Sequence, residues 1–224
     1  MSEARRAIFA AIRERLARVD EAAADAAVRE RLARPRAVLV PARARLEGEA
    51  RIALFCAKAQ AVGTEIVRIP DLAALRDAVS TSLRRHNLPS ALVRAADPLL
   101  DAAALETEPL LEVRCDVPRE TDAVGLTVAL AGIAETGTVL LASAPERPTL
   151  LAFLPETSLV VLPTVRIAGS YEEAWATLRG LAGWPPRSVN LITGPSRTGD
   201  IPPAIELGAH GPKRLIVFLL DRPS

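Results

Sequence analysis

The sequence has few aromatic residues and no excess of either charge. Aromatic residues make up 3% of its 224 residues, so we expect a core of aliphatic side chains. The same scarcity leaves no series of aromatic and basic residues on which nucleic-acid bases could stack. The formal net charge of +1 also lacks the basic excess that is typical of phosphate-binding surfaces. We therefore expect no nucleic-acid partner.

Cysteine and histidine are scarce as well. The two cysteines, Cys56 and Cys115, do not indicate a disulfide framework and fit a reducing compartment. They are too few for the four thiolates of a typical iron–sulfur cluster. The two histidines, His86 and His210, do not have the spacing of a metal-ligand pair. We expect no metal site in this chain, and the metal centre of any redox function would lie on another chain.

Long apolar segments are also missing. The sequence is charged from Glu3 onward and shows no apolar signal core there. No uninterrupted apolar run approaches the roughly 18 residues of a membrane-spanning helix. Half of the residues are hydrophobic and a quarter are charged, which is ordinary for a globular protein. These features predict a cytoplasmic protein without a membrane span.

The first 47 residues are expected to form an N-terminal helical arm. Ile8, Phe9, Ile12 and Leu16 fall on one stripe of a helix over residues 3–18. A second helical segment over residues 21–33 ends at the Arg34-Pro35 step, because proline restricts the residue before it. We interpret the arm as packing on the main body or on a neighbouring subunit. The second arrangement would make the chain a homo-oligomer.

Residues 48–224 are expected to form one α/β domain, since helical and extended patterns alternate along them. Continuous apolar strands between helices predict a mostly parallel sheet with helices on both faces. The expected helices span residues 49–62, 72–85, 98–104 and 171–182, and the expected strands span 65–69, 91–94, 124–127, 138–142, 159–162, 189–193 and 214–220.

One candidate site is the segment Gly194-Pro195-Ser196-Arg197-Thr198-Gly199-Asp200, between an expected strand and an expected short helix. Glycines let a backbone approach a ligand, and the N–H groups of a helix start attract anions. The spacing begins like a P-loop, but Asp200 and Ile201 stand where lysine and a hydroxyl residue are needed. We therefore expect a small anionic ligand rather than a nucleoside triphosphate. The expected binding residues are Gly194, Ser196, Arg197, Thr198 and Asp200, and the alternative is a tight turn capped by Ser196 or Asp200.

Arg197 is the residue of this loop that we expect to pair with a carboxylate or phosphate, because its guanidinium can bind such a group bidentately. The alternative for Arg197 is a solvated arginine of the loop.

A second candidate is Glu135, which stands between small residues directly before an apolar strand. Burial disfavours an ionised carboxylate and would suit Glu135 to catalysis as acid, base or nucleophile. Thr136, Gly137 and Thr138 could then hold a substrate oxygen. The alternative is a carboxylate at a helix end that accepts hydrogen bonds from backbone N–H groups.

His210 is the third candidate, because it lies among glycines just before the last expected strand. The glycines around His210 and its closeness in sequence to the 194–201 loop make it a candidate catalytic residue. The alternative is a structural histidine with satisfied hydrogen bonds.

Taken together, these segments resemble the lactate utilisation protein C family, whose members carry the LUD domain. The resemblance covers residues 48–220 and the N-terminal helix. It is carried by Ile133-Ala134-Glu135-Thr136-Gly137-Thr138, Leu154-Pro155-Glu156-Thr157, Ile192-Thr193-Gly194-Pro195-Ser196-Arg197-Thr198-Gly199-Asp200-Ile201 and Gly208-Ala209-His210-Gly211-Pro212.

The resemblance implies a fold similar to that of phosphosugar isomerases and CoA transferases. It also implies a role in oxidising L-lactate to pyruvate together with iron–sulfur partner proteins. Two positions depart from the family pattern: Ser158 stands where members commonly have histidine, and Gly199 where many have alanine. The residues themselves leave two alternatives open. One is a free-standing enzyme that uses Glu135 on a sugar phosphate, CoA thioester or folate, and the other is a ligand-binding module without turnover.

Overall fold

The computed structural model describes residues 3–16, 20–34, 39–181, 185–198, 206–208 and 210–222. The chain divides into two compact units, Met1–Leu39 and Val40–Ser224. The arm boundary expected between residues 47 and 48 stays a prediction. In the part of the chain that is described, no helix is long and apolar enough to cross a membrane.

The first unit contains two helices, α1 (Glu3–Leu16) and α2 (Glu21–Ala33). Asp20 is the N-cap of α2, and its carboxylate accepts a hydrogen bond from Ala23 N at 3.1 Å. The helices expected over residues 3–18 and 21–33 are therefore present, although residues 17 and 18 lie outside the described part.

The second unit is built on a six-stranded sheet in which each described pair of neighbours is parallel. All residues of the two central strands β4 and β7, which are mostly apolar, are buried, as is usual in a parallel sheet covered on both faces. In spatial order the strands are β1 (Glu65–Asp71), β12 (Arg214–Arg222), β7 (Thr157–Pro163), β4 (Val124–Val128), β2 (Ala91–Arg94) and β3 (Glu112–Cys115).

Helices cover both faces of this sheet. Phe218 of β12 packs in one buried cluster with Leu75 and Val79, whereas its neighbour Val217 packs in another with Phe55. The α/β fold class predicted from the sequence is thereby confirmed. The helices of this unit are α3 (Gly48–Ala61), α4 (Ala73–Arg85), α5 (Pro98–Ala102) and α6 (Tyr171–Arg179), and short 3₁₀ turns lie at Ala42–Arg45, Leu105–Thr107, Thr149–Ala152 and Thr164–Arg166.

A second sheet has four strands. Two of them, β6 (Thr138–Ala142) and β9 (Val189–Ile192), were expected from the sequence to belong to the parallel sheet. They are antiparallel neighbours. β6 also pairs antiparallel with β5 (Ala131–Ile133), which pairs in parallel with β8 (Ile167–Ala168). The link from β5 to β6 is a short turn, and such a turn can join only antiparallel neighbours.

A short antiparallel pair, β10 (Arg197–Thr198) with β11 (Glu206–Leu207), follows the second sheet. The segment after Gly194 was expected to lead into a short helix. Its described part instead enters β10, while residues 199–205 lie outside the described part.

Candidate functional site

A cavity of about 230 Å³ lies where the four-stranded sheet meets the first residues of β7 and β12. Parallel pairing places Ser158 of β7 beside Leu215 of β12, so both strands present their amino-terminal ends to the cavity. The end of β9 and the loop after it form the opposite wall. The lining residues are Ala152, Phe153, Ser158, Leu191, Ile192, Thr193, Gly194, Pro195, Ser196, His210, Gly211, Pro212 and Leu215.

Backbone hydrogen bonds hold the two loops of the cavity together. Ser196 N donates to Pro212 O at 2.9 Å, and Gly208 N donates to Ser196 O at 3.0 Å. Arg214 N donates to Glu156 O at 3.2 Å and so ties the second loop to the start of β7. The three later segments that carry the family resemblance therefore meet at one place.

Gly194 makes the first of these loops possible. Its φ is +80°, and a Cβ atom there would lie 2.6 Å from Val62 O, next to the end of α3. Only glycine combines such a φ with so close a backbone approach without strain. The predicted glycine is thus needed for backbone geometry, and it also lines the cavity.

Ser158 is the most unusual polar residue of the cavity wall. Its side chain is 1% exposed, and its Oγ has no hydrogen-bond partner among the described residues. A buried hydroxyl without a partner costs free energy.

A cluster of four hydroxyl groups links the cavity to the turn that precedes β6. Thr193, in the cavity lining, is 2.7 Å from Thr138 through their Oγ1 atoms. Thr138 Oγ1 is in turn 2.7 Å from Thr136 Oγ1 and 3.3 Å from Tyr171 Oη. Thr136 Oγ1 donates to Tyr171 Oη at 3.2 Å. The fully buried Thr138 therefore joins the Thr136–Thr138 segment to the cavity wall.

Glu135 itself lies outside the cavity lining. Its Oε1 accepts a hydrogen bond from Tyr171 N at 3.0 Å, at the first residue of α6. Its Oε2 is 3.8 Å from Arg43 Nη2. Both oxygens thus contact protein groups, and a carboxylate at a helix N-terminus is stabilised by the helix dipole. This is the alternative stated above, and the catalytic role of Glu135 stays a prediction.

Arg197 also lies beside a helix end. Its Nη2 donates to Val62 O at 2.9 Å, next to the carboxyl-terminal end of α3, where a positive charge is favourable. It does not line the cavity. Thr198 pairs through its backbone with β11, and Asp200 lies outside the described residues, so the binding roles of all three stay predictions.

His210 and Ser196 do line the cavity, as does Gly194. His210 is exposed, which places it at the mouth. Sequence reasoning missed Phe153, Ser158, Thr193 and Leu215 as site residues. Ser158 carried a signal, because it stands where the family commonly has histidine, whereas the apolar lining residues have the pattern of ordinary strand residues.

The chemistry of the lining is mainly apolar. Among the described residues that line it, the polar side chains are hydroxyl groups and one imidazole, and none is aspartate, glutamate, lysine or arginine. Among the described residues, no group of three or more histidine, cysteine or carboxylate side chains is placed to hold a metal ion. The cavity is suited to holding a small organic molecule by shape and a few hydrogen bonds.

The fold and cavity define an α/β protein with a ligand-sized cavity at the amino-terminal edge of a parallel sheet. Residues 120–220 match the family model of the LUD domain. The resemblance predicted from the sequence is thereby confirmed over this segment, which runs from β4 into β12 and includes the described lining residues of the cavity.

Several known proteins are similar to part of this chain. A lactate utilization protein C of Geobacillus kaustophilus is 33% identical over 103 residues, which are 44% of this chain and 43% of that protein. The uncharacterized protein YkgG of Escherichia coli is 36% identical over 101 residues, 44% of each chain. The chain spans less than half the length of the curated relatives it matches.

The fold is also similar to a solved structure. The crystal structure of a DUF162 family protein from Deinococcus radiodurans superimposes with a TM-score of 0.59 at 22% identity, over 78% of this chain and 99% of that one. At this identity the likeness supports the fold alone.

Proposed function

We propose that this chain is a component of an L-lactate oxidation system, which converts lactate to pyruvate, and that it acts with iron–sulfur partner proteins. One observation carries the proposal. The segments that distinguish the family resemblance, around Leu154-Pro155-Glu156-Thr157, Thr193 to Ser196 and His210 to Pro212, are far apart in sequence but converge on one cavity. Relatives named lactate utilization protein C are 30–33% identical to 44% of this chain.

The proposed iron–sulfur partners are implied by the family resemblance, and the redox chemistry gives them a role. Oxidising a hydroxyl to a ketone removes two electrons, which need an acceptor. The chain's two cysteines are too few to ligate a typical four-thiolate cluster, and they lie apart, Cys56 on α3 and Cys115 at the end of β3. An acceptor of this class is therefore proposed to reside on partner proteins.

Growth on L-lactate tests the pathway assignment. A strain that lacks this gene, and has no second copy, is expected to lose growth on L-lactate while it grows normally on pyruvate. The plasmid-borne wild-type gene should restore growth. Normal growth of the deletion strain on L-lactate would contradict the proposed pathway.

Association tests the partner assignment. The full chain, purified from its native host under anaerobic, reducing conditions, is expected to bring down proteins with the absorbance of iron–sulfur clusters. Purification of this chain alone, from cells that are growing on L-lactate, would count against the iron–sulfur partners but leave the pathway assignment standing.

The variant Glu135→Gln separates the two roles of Glu135. Glutamine removes the negative charge next to Arg43 but keeps an oxygen acceptor for Tyr171 N. Because that hydrogen bond at the start of α6 is retained, we expect this variant to restore growth of the deletion strain. Loss of complementation by a variant with wild-type thermal stability would instead support the catalytic role. That result would make Glu135 part of the working site of the lactate function.

A further inference from the structure

The buried hydroxyl of Ser158 is the feature of the cavity that points to a particular ligand chemistry. Protein hydroxyls that are buried without a partner are rare, because each one loses its hydrogen bonds to water. Ser158 Oγ has no partner among the described residues, and Ser158 lies in the cavity wall. The Oγ atom is itself buried in this structure, so it would meet a molecule in the cavity after a rotation about the Cα–Cβ bond to another of the three staggered rotamers of serine.

The other lining groups restrict what can approach Ser158. Its neighbours in the wall include Phe153, Ile192 and Leu215, and the described residues of the lining carry no carboxylate, ammonium or guanidinium group. A charge that was buried against this wall would remain uncompensated, which is costly. The exposed imidazole of His210 lies at the mouth. The inner end of a bound molecule is therefore uncharged, and a charged end belongs at the mouth.

We propose that the cavity binds a small molecule whose inner end is an uncharged hydroxyl or carbonyl group hydrogen-bonded to Ser158 Oγ, with its apolar body against Phe153 and Leu215. The inference rests on the proposed function in taking this cavity as the working site, and it narrows the class of ligand. Phosphate esters and dicarboxylates are excluded as ligands if they must enter with a charged end, because that charge would be buried without a partner.

The size of the cavity suggests suitable probes. A dry cavity of about 150 Å³ lined by aliphatic and aromatic side chains holds benzene, and this cavity measures about 230 Å³. Phenol, toluene and benzoate have one ring in common and differ in their substituent, which is a hydroxyl, a methyl or a carboxylate group. Phenol is uncharged at neutral pH, like the tyrosine side chain.

Titration of the full chain with each probe, followed by backbone amide NMR shifts, tests the inference. The wild-type protein is expected to bind phenol more tightly than toluene by roughly three- to tenfold, the range for one hydrogen bond, with shifts at Gly194 and Gly211. In Ser158→Ala this preference should disappear while toluene binding is unchanged. Equal affinities for phenol and toluene in the wild-type protein would overturn the inference, as would tighter binding of benzoate.

Ser80→Ala is the matched control. Ser80 also carries a buried hydroxyl without a partner among the described residues, but it lies on α4 and does not line the cavity. This variant should keep the wild-type preference for phenol. The outcome is independent of growth on L-lactate. If the protein prefers phenol but is dispensable for growth on L-lactate, the ligand class stands and the pathway is rejected. If it is needed for growth on L-lactate but binds phenol and toluene equally, the pathway stands and the ligand class is rejected.

Discussion

Replacing Gly137 with alanine is expected to lower the free energy of unfolding by roughly 2–5 kcal/mol. Gly137 has a φ of +70°, and a Cβ atom there would lie 2.6 Å from Ala59 Cα and still closer to Ala59 N. The left-handed backbone costs an alanine roughly 1–2 kcal/mol, and overpacking against a backbone that cannot yield adds about 1–3 kcal/mol or more. Urea unfolding followed by circular dichroism measures the change, and a variant too unstable to purify meets the same expectation.

Gly48→Ala separates the two causes of this effect. Gly48 also has a positive φ, +53°, but a Cβ atom there meets no heavy atom within 4 Å. It should therefore show only the backbone cost, about 1–2 kcal/mol. Equal destabilisation of the two variants would show that the approach of the turn to α3 contributes nothing.

The close approach at Gly137 explains why this glycine belongs to a segment that looks functional in sequence. The turn between β5 and β6 lies against the last part of α3 at Ala59, and the cavity loop lies against Val62 a few residues later. The same end of α3 therefore positions both turns. Thr138 follows the first turn and Thr193 precedes the second, and their Oγ1 atoms are held 2.7 Å apart.

Much of the fold was predictable because local signals agree with the tertiary structure. The apolar run of β7 is buried along its whole length, as a central parallel strand requires. Gly63 adopts a φ of +88° just after α3, where the sequence predicted the helix end. Asp71 Oδ1 accepts a hydrogen bond from Ala74 N at 3.2 Å in the first turn of α4, close to the helix start that the sequence predicted at residue 72.

The pairing partners of the strands were not predictable from the same signals. β5 is a strand of three residues, Ala131–Ile133, too short for a periodic pattern. Strands β6 and β9 are apolar like those of the parallel sheet, and nothing in their composition reports that their neighbours run antiparallel. Strand direction depends on the length of the connection between strands. The short connection before β6 can be recognised only when β5 is known to be a strand.

The candidate site was partly predictable for a related reason. Gly194, Ser196 and His210 were found from the loop composition, and they line the cavity. Glu135 and Arg197 were selected as charged residues in glycine-containing turns, and each lies beside a helix end. Ligand binding and helix capping use the same residue types next to the same turns, so the sequence alone does not distinguish them. The importance of Ser158 depends on its burial.

Gly194→Ala is expected to disrupt the cavity as well as the fold. Its Cβ atom would lie 2.6 Å from Val62 O and 3.2 Å from Val62 Cγ2, at a φ of +80°. The loop has to move away from α3, which breaks the hydrogen bond from Arg197 Nη2 to Val62 O and displaces Ser196 from Pro212. We expect a loss of about 2–4 kcal/mol in unfolding free energy and a weakening of phenol binding of more than roughly tenfold.

Two further variants make this expectation specific. Gly180→Ala is the control, since Gly180 has an ordinary φ of −76° at the end of α6 and its Cβ would lie 3.5 Å from Thr177 O; it should bind phenol like the wild-type protein. Because the nearest atom to the new Cβ at residue 194 is a backbone oxygen, adding Val62→Ala should not restore binding to Gly194→Ala. Restored phenol binding in the double variant would show that the new Cβ atom clashes with the Val62 side chain rather than with its backbone oxygen. Unchanged phenol binding in Gly194→Ala would show that the loop's position against α3 does not shape the cavity.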